Sequence, residues 1–190
     1  GVERVVRYAF QLAMKRRKHV TLVHKKNVLV NAGDMWQRIV NKVAEEYPEV
    51  SHDYLHIDAT TIFMVSNPSR FDVILTDNLF GDIITDEAAQ IQGGVGTAGS
   101  ANTGSQYAMF EAVHGTAPRL IADGEGDYAN PASILKAAEL LLLHIAMADK
   151  ADQLAAAMGL CTETERRVVM TGHRDGASCA QFVDYVLEKL

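Results

Sequence analysis

Two aspartates four residues apart form the pattern in this sequence that is best suited to chemistry. Asp82 and Asp86 belong to the run GDIITD at 81–86. On a helix this spacing puts both carboxylates on one face, one turn apart, where like charges repel by about a few tenths of a kcal/mol. Either both acids lie near the first turn, where the helix dipole favours them, or they hold a divalent cation.

A hard cation such as Mg²⁺ or Mn²⁺ prefers carboxylate oxygens, and it is commonly held by one or two carboxylates together with oxygens of the substrate. Asp58 follows a predicted strand at 54–57 and can supply a third carboxylate. Lys25 also follows a predicted strand. Because sites of open α/β sheets lie beyond the carboxyl ends of strands, we expect these polar residues to gather at one edge of the sheet.

The first half of the chain alternates strands and helices, which predicts an α/β fold with a mainly parallel central sheet and flanking helices. Apolar residues recur at helical spacing from Val2 to Ala13, and Pro48 ends a second predicted helix. The predicted elements of this half are strands at 20–23, 54–57 and 71–75 and helices at about 2–14, 35–47, 58–65 and 82–90.

The composition changes at Gln92, since the segment 93–104 contains five glycines and little periodicity. This change predicts a domain boundary that divides the chain into 1–92 and 93–190. The run GVGTAG at 94–99 matches G-x-G-x-x-G, but a dinucleotide fingerprint requires a strand before it and a helix after it, and neither is predicted here. We therefore interpret these glycines as a tight crossing between domains.

Loop and cap residues mark the boundaries of the elements predicted in the second half. A strand is predicted at 107–113, and HGTAP at 114–118 is predicted to be a stiff loop. Asn130 and Pro131 predict a helix start, with asparagine as the cap and proline as the first helical residue. That helix extends to about 148, and two more follow at about 149–158 and 177–189.

Charge and hydropathy exclude several classes of partner. The 190 residues carry a net charge of −6, which argues against nucleic acid or an anionic membrane surface as the main partner. The most apolar stretch, 137–148, is too short and too polar to span a bilayer, and the first residues contain no signal-peptide core. The expected location is the cytoplasm.

Several runs, in this order along the chain, resemble the metal-dependent β-decarboxylating dehydrogenases, the family of isocitrate and 3-isopropylmalate dehydrogenases. The runs NLFGDIITD and HGTAP are highly specific when they occur together. The resemblance implies the fold of isopropylmalate dehydrogenase, and it covers nearly the whole chain. The matching runs are 20–29, 47–48, 57–59, 71–74, 78–86, 110–118 and 129–131.

The resemblance also implies roles for individual residues. Asp58, Asp82 and Asp86 match metal-coordinating aspartates, and Lys25 matches a catalytic lysine with Asn27 as a nearby substrate-side residue. In this family the lysine and the first aspartate serve the neighbouring subunit, which implies a homodimer with shared sites. The residues that match the NAD- or NADP-binding loop are His114, Gly115, Thr116, Ala117, Pro118, Arg119 and Asn130.

The implied reaction oxidises a 2-hydroxy acid and then removes its β-carboxylate. The metal makes the hydroxyl easier to deprotonate, Lys25 helps to remove that proton, and hydride passes to the nicotinamide. Isocitrate, a tricarboxylic acid cycle substrate, is favoured by the wording of the motifs. Isopropylmalate, an intermediate of leucine biosynthesis, stays open as the alternative, as do homoisocitrate and tartrate.

Family members are considerably longer than this chain, and the resemblance implies that their N-terminal part is missing here. That part supplies substrate-binding arginines and a catalytic tyrosine, so we expect no dehydrogenase turnover from the 190 residues alone. Arg119 favours the 2′-phosphate of NADP, but Leu120 beside it is not the aromatic residue expected for that cofactor. A solvated loop residue with no cofactor role is the alternative interpretation of Arg119. A non-catalytic relative is the rival hypothesis, although the three aspartates and Lys25 favour an enzyme.

Overall fold

A computed structural model of the chain forms two compact units, Gly1–Ile91 and Gln92–Leu190. The structure describes residues 1–94 and 96–190 in full and, for Val95, the backbone alone. Among the described residues, no helix combines the length and the apolar character needed to cross a membrane.

The first unit contains four α-helices, three strands and one 3₁₀ turn in the described chain. Helices α1 to α4 are Val2–Met14, Val30–Ala44, Ile57–Ser66 and Asn78–Ile91. Strands β1 to β3 are His19–His24, Ser51–His56 and Val73–Leu75, and the 3₁₀ turn is Pro68–Arg70.

The three strands form a parallel sheet in the order β2-β1-β3. Val20 and Leu22 of β1 point into a core built with α1 and α2. Because side chains alternate along a strand, Thr21 and Val23 point to the opposite face, where α3 contacts β1 and packs against α4. Helices thus cover both faces, and the predicted α/β class with a mainly parallel sheet is confirmed.

Three boundaries near the sheet edge differ from the prediction. Helix α4 begins at Asn78 and not at Asp82, since an unrecognised cap starts it one turn earlier. Strand β2 ends at His56 and α3 begins at Ile57, so Asp58 is the second helical residue and not the first. Helix α2 begins at Val30 and not at about 35, so Gly33 lies within it.

The second unit places helices against a two-stranded antiparallel sheet. Strands β4 and β5 pair with Gly99 opposite Ala112, and α6 packs on both strands and on α7. Its strands are Gly99–Thr103 and Ala108–Ala112, and its helices α5 to α8 are Pro118–Ala122, Ala132–His144, Ala148–Gly159 and Cys179–Leu187. Shorter turns are Val95–Thr97, Gly126–Tyr128 and a π-helical turn at Leu160–Thr164.

Two elements of the second unit were not predicted. The first is β4, which lies in the glycine-rich segment. A Cβ on Gly99 would lie 2.6 Å from the backbone nitrogen of Ala137, so only glycine lets this strand approach α6 so closely. Part of the predicted loop forms the short helix α5, which Pro118 begins. The run 94–99 lies between α4 and β4, which is not the setting of a dinucleotide fingerprint.

Candidate functional site

The start of α4 is fixed by Asp77, which the sequence analysis did not single out. Its carboxylate accepts a hydrogen bond from the backbone N–H of Phe80 at 3.0 Å, and its carbonyl accepts one from Gly81 at 2.9 Å. These contacts are those of a helix N-cap. Aspartate is a preferred cap residue, so its place before NLFG was a usable signal for an earlier helix start.

Asp82 and Asp86 are both exposed on α4, one turn apart. They are the fifth and ninth helical residues, and the first turn contains no acid, so the helix dipole does not account for the pair. Asp82 accepts one hydrogen bond, from the Asn78 amide at 3.1 Å. The other carboxylate oxygens of Asp82 and Asp86 are ligands that suit a hard divalent cation. Among the described residues, no group of three or more His, Cys, Asp or Glu side chains could hold a metal, so Asp58 does not join the pair within one chain.

Lys25 and Asp58 come together just beyond the ends of β1 and β2. The ammonium Nζ lies 2.5 Å from Oδ1 of Asp58, and the carboxylate is 67% exposed while the lysine is 23% exposed. The hydrogen bond from Lys25, with a smaller contribution from backbone N–H groups at the start of α3, lowers the pKa of Asp58. Asn27 is exposed in the turn that follows Lys25.

A buried imidazole lies beneath this edge of the sheet. His24, the last residue of β1, is fully buried, and its Nε2 lies 3.1 Å from a carboxylate oxygen of Asp77. Even so, neither ring nitrogen makes a hydrogen bond within the described structure. The ring packs edge-on against Phe80 at 5.5 Å between centroids. His24 therefore brings the strand that precedes Lys25 against the capped start of α4.

The residues predicted to bind the cofactor all lie in the second unit, and those from His114 to Arg119 are exposed. The loop turns sharply at Ala117, whose φ of 45° is in the left-handed region that favours glycine. His114 Nδ1 lies 3.0 Å from the carbonyl oxygen of Gly115. Asn130 accepts a hydrogen bond from the Ala132 N–H at 2.9 Å, but α6 begins at Ala132 with Pro131 as its N-cap, so the predicted start, with Asn130 as the cap and Pro131 as the first helical residue, is one residue too early. The side-chain amide N–H groups of Asn130 can donate to a ligand.

An α/β unit that presents acidic oxygens and a lysine at the carboxyl edge of a parallel sheet defines a class of candidate metal-dependent enzymes. The sequence profile of the isocitrate/isopropylmalate dehydrogenase family matches residues 1–186. The chain belongs to this family.

Sequence relatives carry the name 3-isopropylmalate dehydrogenase. The protein from Bifidobacterium longum strain DJO10A is 63% identical over 161 residues, which are 83% of this chain and 46% of that protein. The Corynebacterium glutamicum protein is 55% identical over 161 residues, with the same shares of 83% and 46%. The chain thus spans about half the length of the curated relatives that it matches.

Solved structures share the fold. The isocitrate dehydrogenase of Methylococcus capsulatus superposes with a TM-score of 0.91 at 38% identity, over 99% of this chain and 55% of that one. A protein from Thermus thermophilus superposes with a TM-score of 0.90 at 34% identity, over 100% of this chain and 38% of that one. The predicted isopropylmalate-dehydrogenase-like fold is confirmed.

Proposed function

We propose that this chain is part of a metal- and NAD(P)-dependent enzyme that oxidises and decarboxylates a 2-hydroxy acid. The observation that carries the proposal is the exposed pair Asp82 and Asp86, on one face of α4 and outside its first turn, in a chain of this family. Two acids at this spacing repel each other, and a bound cation would relieve that repulsion and give the pair a use that a non-catalytic relative lacks.

Asp82 and Asp86 would hold Mg²⁺ or Mn²⁺, with Asp58 of a second copy as the third carboxylate. A bound divalent ion supplies Lewis-acid polarisation of the substrate's hydroxyl and carboxylate oxygens. Lys25, whose Nζ lies beside Asp58, is the group proposed to exchange a proton with the substrate hydroxyl. Asn27 is proposed to contact the substrate, since its exposed amide stands in the same turn.

The proposed substrate is 3-isopropylmalate, and this corrects the preference for isocitrate in the sequence analysis. That preference rested on the sequences of short motifs, which resemble those of the family that contains both isocitrate and 3-isopropylmalate dehydrogenases. The relatives at 55% and 63% identity carry the name 3-isopropylmalate dehydrogenase, whereas the isocitrate dehydrogenase structure is 38% identical. Leucine biosynthesis accordingly replaces the tricarboxylic acid cycle as the proposed setting, and the cytoplasm stays the predicted location.

The loop 114–119 and Asn130 are proposed to hold the adenosine half of NAD or NADP. Exposed backbone groups and the amide of Asn130 can bond to polar edges of that half. Arg119 is exposed in α5, and its guanidinium would supply a positive charge to pair with a 2′-phosphate. In the whole protein, Arg119→Asp should lower the preference for NADP over NAD, and an unchanged ratio of kcat/KM values would remove Arg119 from the site.

We further propose a homodimer formed through α3 and α4. These helices pack on each other and leave four large apolar side chains more than half exposed: Ile62, Val65, Leu79 and Ile83. Such a face is typical of a subunit interface. A second copy is the proposed occupant, because the same two helices carry Asp58 and the α4 carboxylates that one chain keeps apart.

Mn²⁺ titration by calorimetry tests the metal site. Asp82→Asn should weaken binding by more than about tenfold, because losing a direct ligand should cost at least as much as losing a residue that supports one. Asp152→Asn is the matched control, since it removes an exposed helical aspartate from the other unit. Equal affinity of the unmodified chain and Asp82→Asn would refute the proposal.

The substrate and the oligomer have separate tests. The whole protein with Mg²⁺ should reduce NAD or NADP faster with 3-isopropylmalate than with isocitrate, and the reverse order would refute the assignment. The purified 190-residue chain is predicted to give no turnover with either acid. Val65→Glu should dissociate the dimer in sedimentation, whereas Val5→Glu on α1 should not. A monomeric unmodified chain would contradict the dimer.

A further inference from the structure

Tyr54 holds the main chain on both sides of Lys25. Its hydroxyl donates a hydrogen bond to the carbonyl oxygen of His24 at 3.0 Å and accepts one from the backbone N–H of Lys26 at 3.1 Å. In the parallel register Tyr54 lies opposite Leu22, so its side chain reaches along β1 to the point where that strand ends. One phenol thus forms hydrogen bonds with two backbone groups at the point where the strand ends.

The third contact of the hydroxyl follows from its single proton. Nδ1 of His56 lies 2.9 Å from the Tyr54 oxygen. Since the phenol gives its proton to the His24 carbonyl, His56 donates its Nδ1–H and the hydroxyl accepts through both lone pairs. His56 precedes α3, which carries Asp58. The hydroxyl therefore ties the end of β1 to the end of β2.

The rest of the Lys25 backbone is held as firmly. Its carbonyl accepts hydrogen bonds from the N–H groups of Val28 and Leu29 at 2.9 and 2.8 Å. The Lys26 ammonium lies 4.3 Å from the centre of the Tyr54 ring, a cation–π contact that covers the phenol. With these contacts made, the flexible lysine stem starts from a fixed backbone and ends at Asp58.

We propose that Tyr54 is a positioning residue for Lys25, whose hydroxyl fixes the peptide groups on both sides of the lysine and so holds the ammonium beside Asp58. The functional meaning of this arrangement rests on the role proposed above for Lys25. Tyr54 touches no reacting atom and acts only through the backbone. Nothing in the local sequence pattern marks it, because its hydroxyl acts on the backbone of a neighbouring strand.

The test is NMR of lysine ammonium groups at fixed pH, with selectively ¹⁵N-labelled lysine and the 190-residue chain. An ammonium held in a hydrogen-bonded ion pair exchanges slowly enough to give a distinct signal, which Lys25→Arg identifies. Tyr54→Phe should abolish or shift this signal to match Asp58→Asn, the reference for a broken pair. Tyr47→Phe should leave it unchanged, because Tyr47 packs against the same core and only its hydroxyl is removed.

An unchanged Lys25 signal in Tyr54→Phe would overturn the proposal. If this variant does not fold, amide exchange in the unmodified chain decides the matter. The Lys26 N–H should exchange at least about tenfold more slowly than an unprotected amide, as one hydrogen bond of ordinary strength requires. Exchange at the unprotected rate would overturn the proposal. Neither readout uses a metal, so failure here is distinct from a failure of the Asp82→Asn titration.

Discussion

Replacing Gly33 with alanine should distort the turn that carries Lys25, although alanine is the better helix former. A Cβ on Gly33 would lie 2.4 Å from Cβ and 2.7 Å from Cα of Lys26, whereas ordinary contact begins at 3.4 Å. The turn or the helix must therefore move by about 1 Å. Because the obstacle is backbone, overpacking should cost about 2–3 kcal/mol, against about 1 kcal/mol gained in helix propensity. We expect a net loss of about 1–2 kcal/mol in the free energy of unfolding.

Urea denaturation followed by fluorescence measures this loss in the first unit, because Trp36 is the single tryptophan of the chain and packs in that unit's core. The matched control is Gly159→Ala at the end of α7. Gly159 has helical φ and ψ values, and its added Cβ would meet nothing within 4 Å. Circular dichroism should therefore show Gly159→Ala to be as stable as the unmodified chain or up to about 1 kcal/mol more stable.

NMR of the lysine ammonium groups in Gly33→Ala measures the effect of the substitution on Lys25. The Lys25 signal should move, since the displaced Lys26 backbone withdraws its N–H from Tyr54. A Gly33→Ala chain that is more stable than the unmodified one, with an unchanged Lys25 signal, would refute the reasoning about close approach.

Three further outcomes follow from single contacts. Asp77→Ala should destabilise the first unit by about 1 kcal/mol in urea, because the cap of α4 is lost, and no change would contradict the capping role. Burial tends to raise the pKa of Asp72, but hydrogen bonds from Arg16 and the His19 N–H outweigh it and lower that pKa. The stability that Asp72 contributes is therefore present above the pKa of this carboxyl in the unfolded chain, and it is lost as the pH falls through the pKa in the folded chain. In Asp72→Asn, the urea midpoint should fall less steeply as the pH is lowered. An unchanged pH dependence of the midpoint would count against the pairing. Ser178→Ala should destabilise the second unit by about 0.5–2 kcal/mol by circular dichroism, since a reciprocal capping box is broken; equal stability would show the box to be unimportant.

The architecture around the proposed metal site could be predicted because it depends on periodicity. Apolar runs that end in polar residues gave the three parallel strands, and the Asp82–Asp86 spacing placed both acids on one helix face. Element ends were less accurate, because they depend on caps and close approaches. Asp77 starts α4 a turn early, and Gly99 lets β4 lie against α6 where the composition indicated only a loop.

The supports of Lys25 could not be predicted from the sequence. Tyr54 acts through a hydroxyl that reaches the neighbouring strand, so its partners are set by the strand register and not by any local pattern. Gly33 is recognisable only once α2 is known to begin before it. Both residues are needed at places where main chains from different elements meet, and periodicity in one element carries no information about such contacts.

Complementation between variants tests whether two copies of the chain share each proposed metal site. Asp58→Asn and Asp82→Asn chains are each titrated with Mn²⁺, and then titrated again after the two are mixed and their subunits exchanged. We expect weak binding by either variant alone and one recovered high-affinity site per mixed dimer, built from Asp82 and Asp86 of one copy and Asp58 of the other. A mixture that binds no better than its components, or an Asp58→Asn chain that binds like the unmodified one, would contradict it.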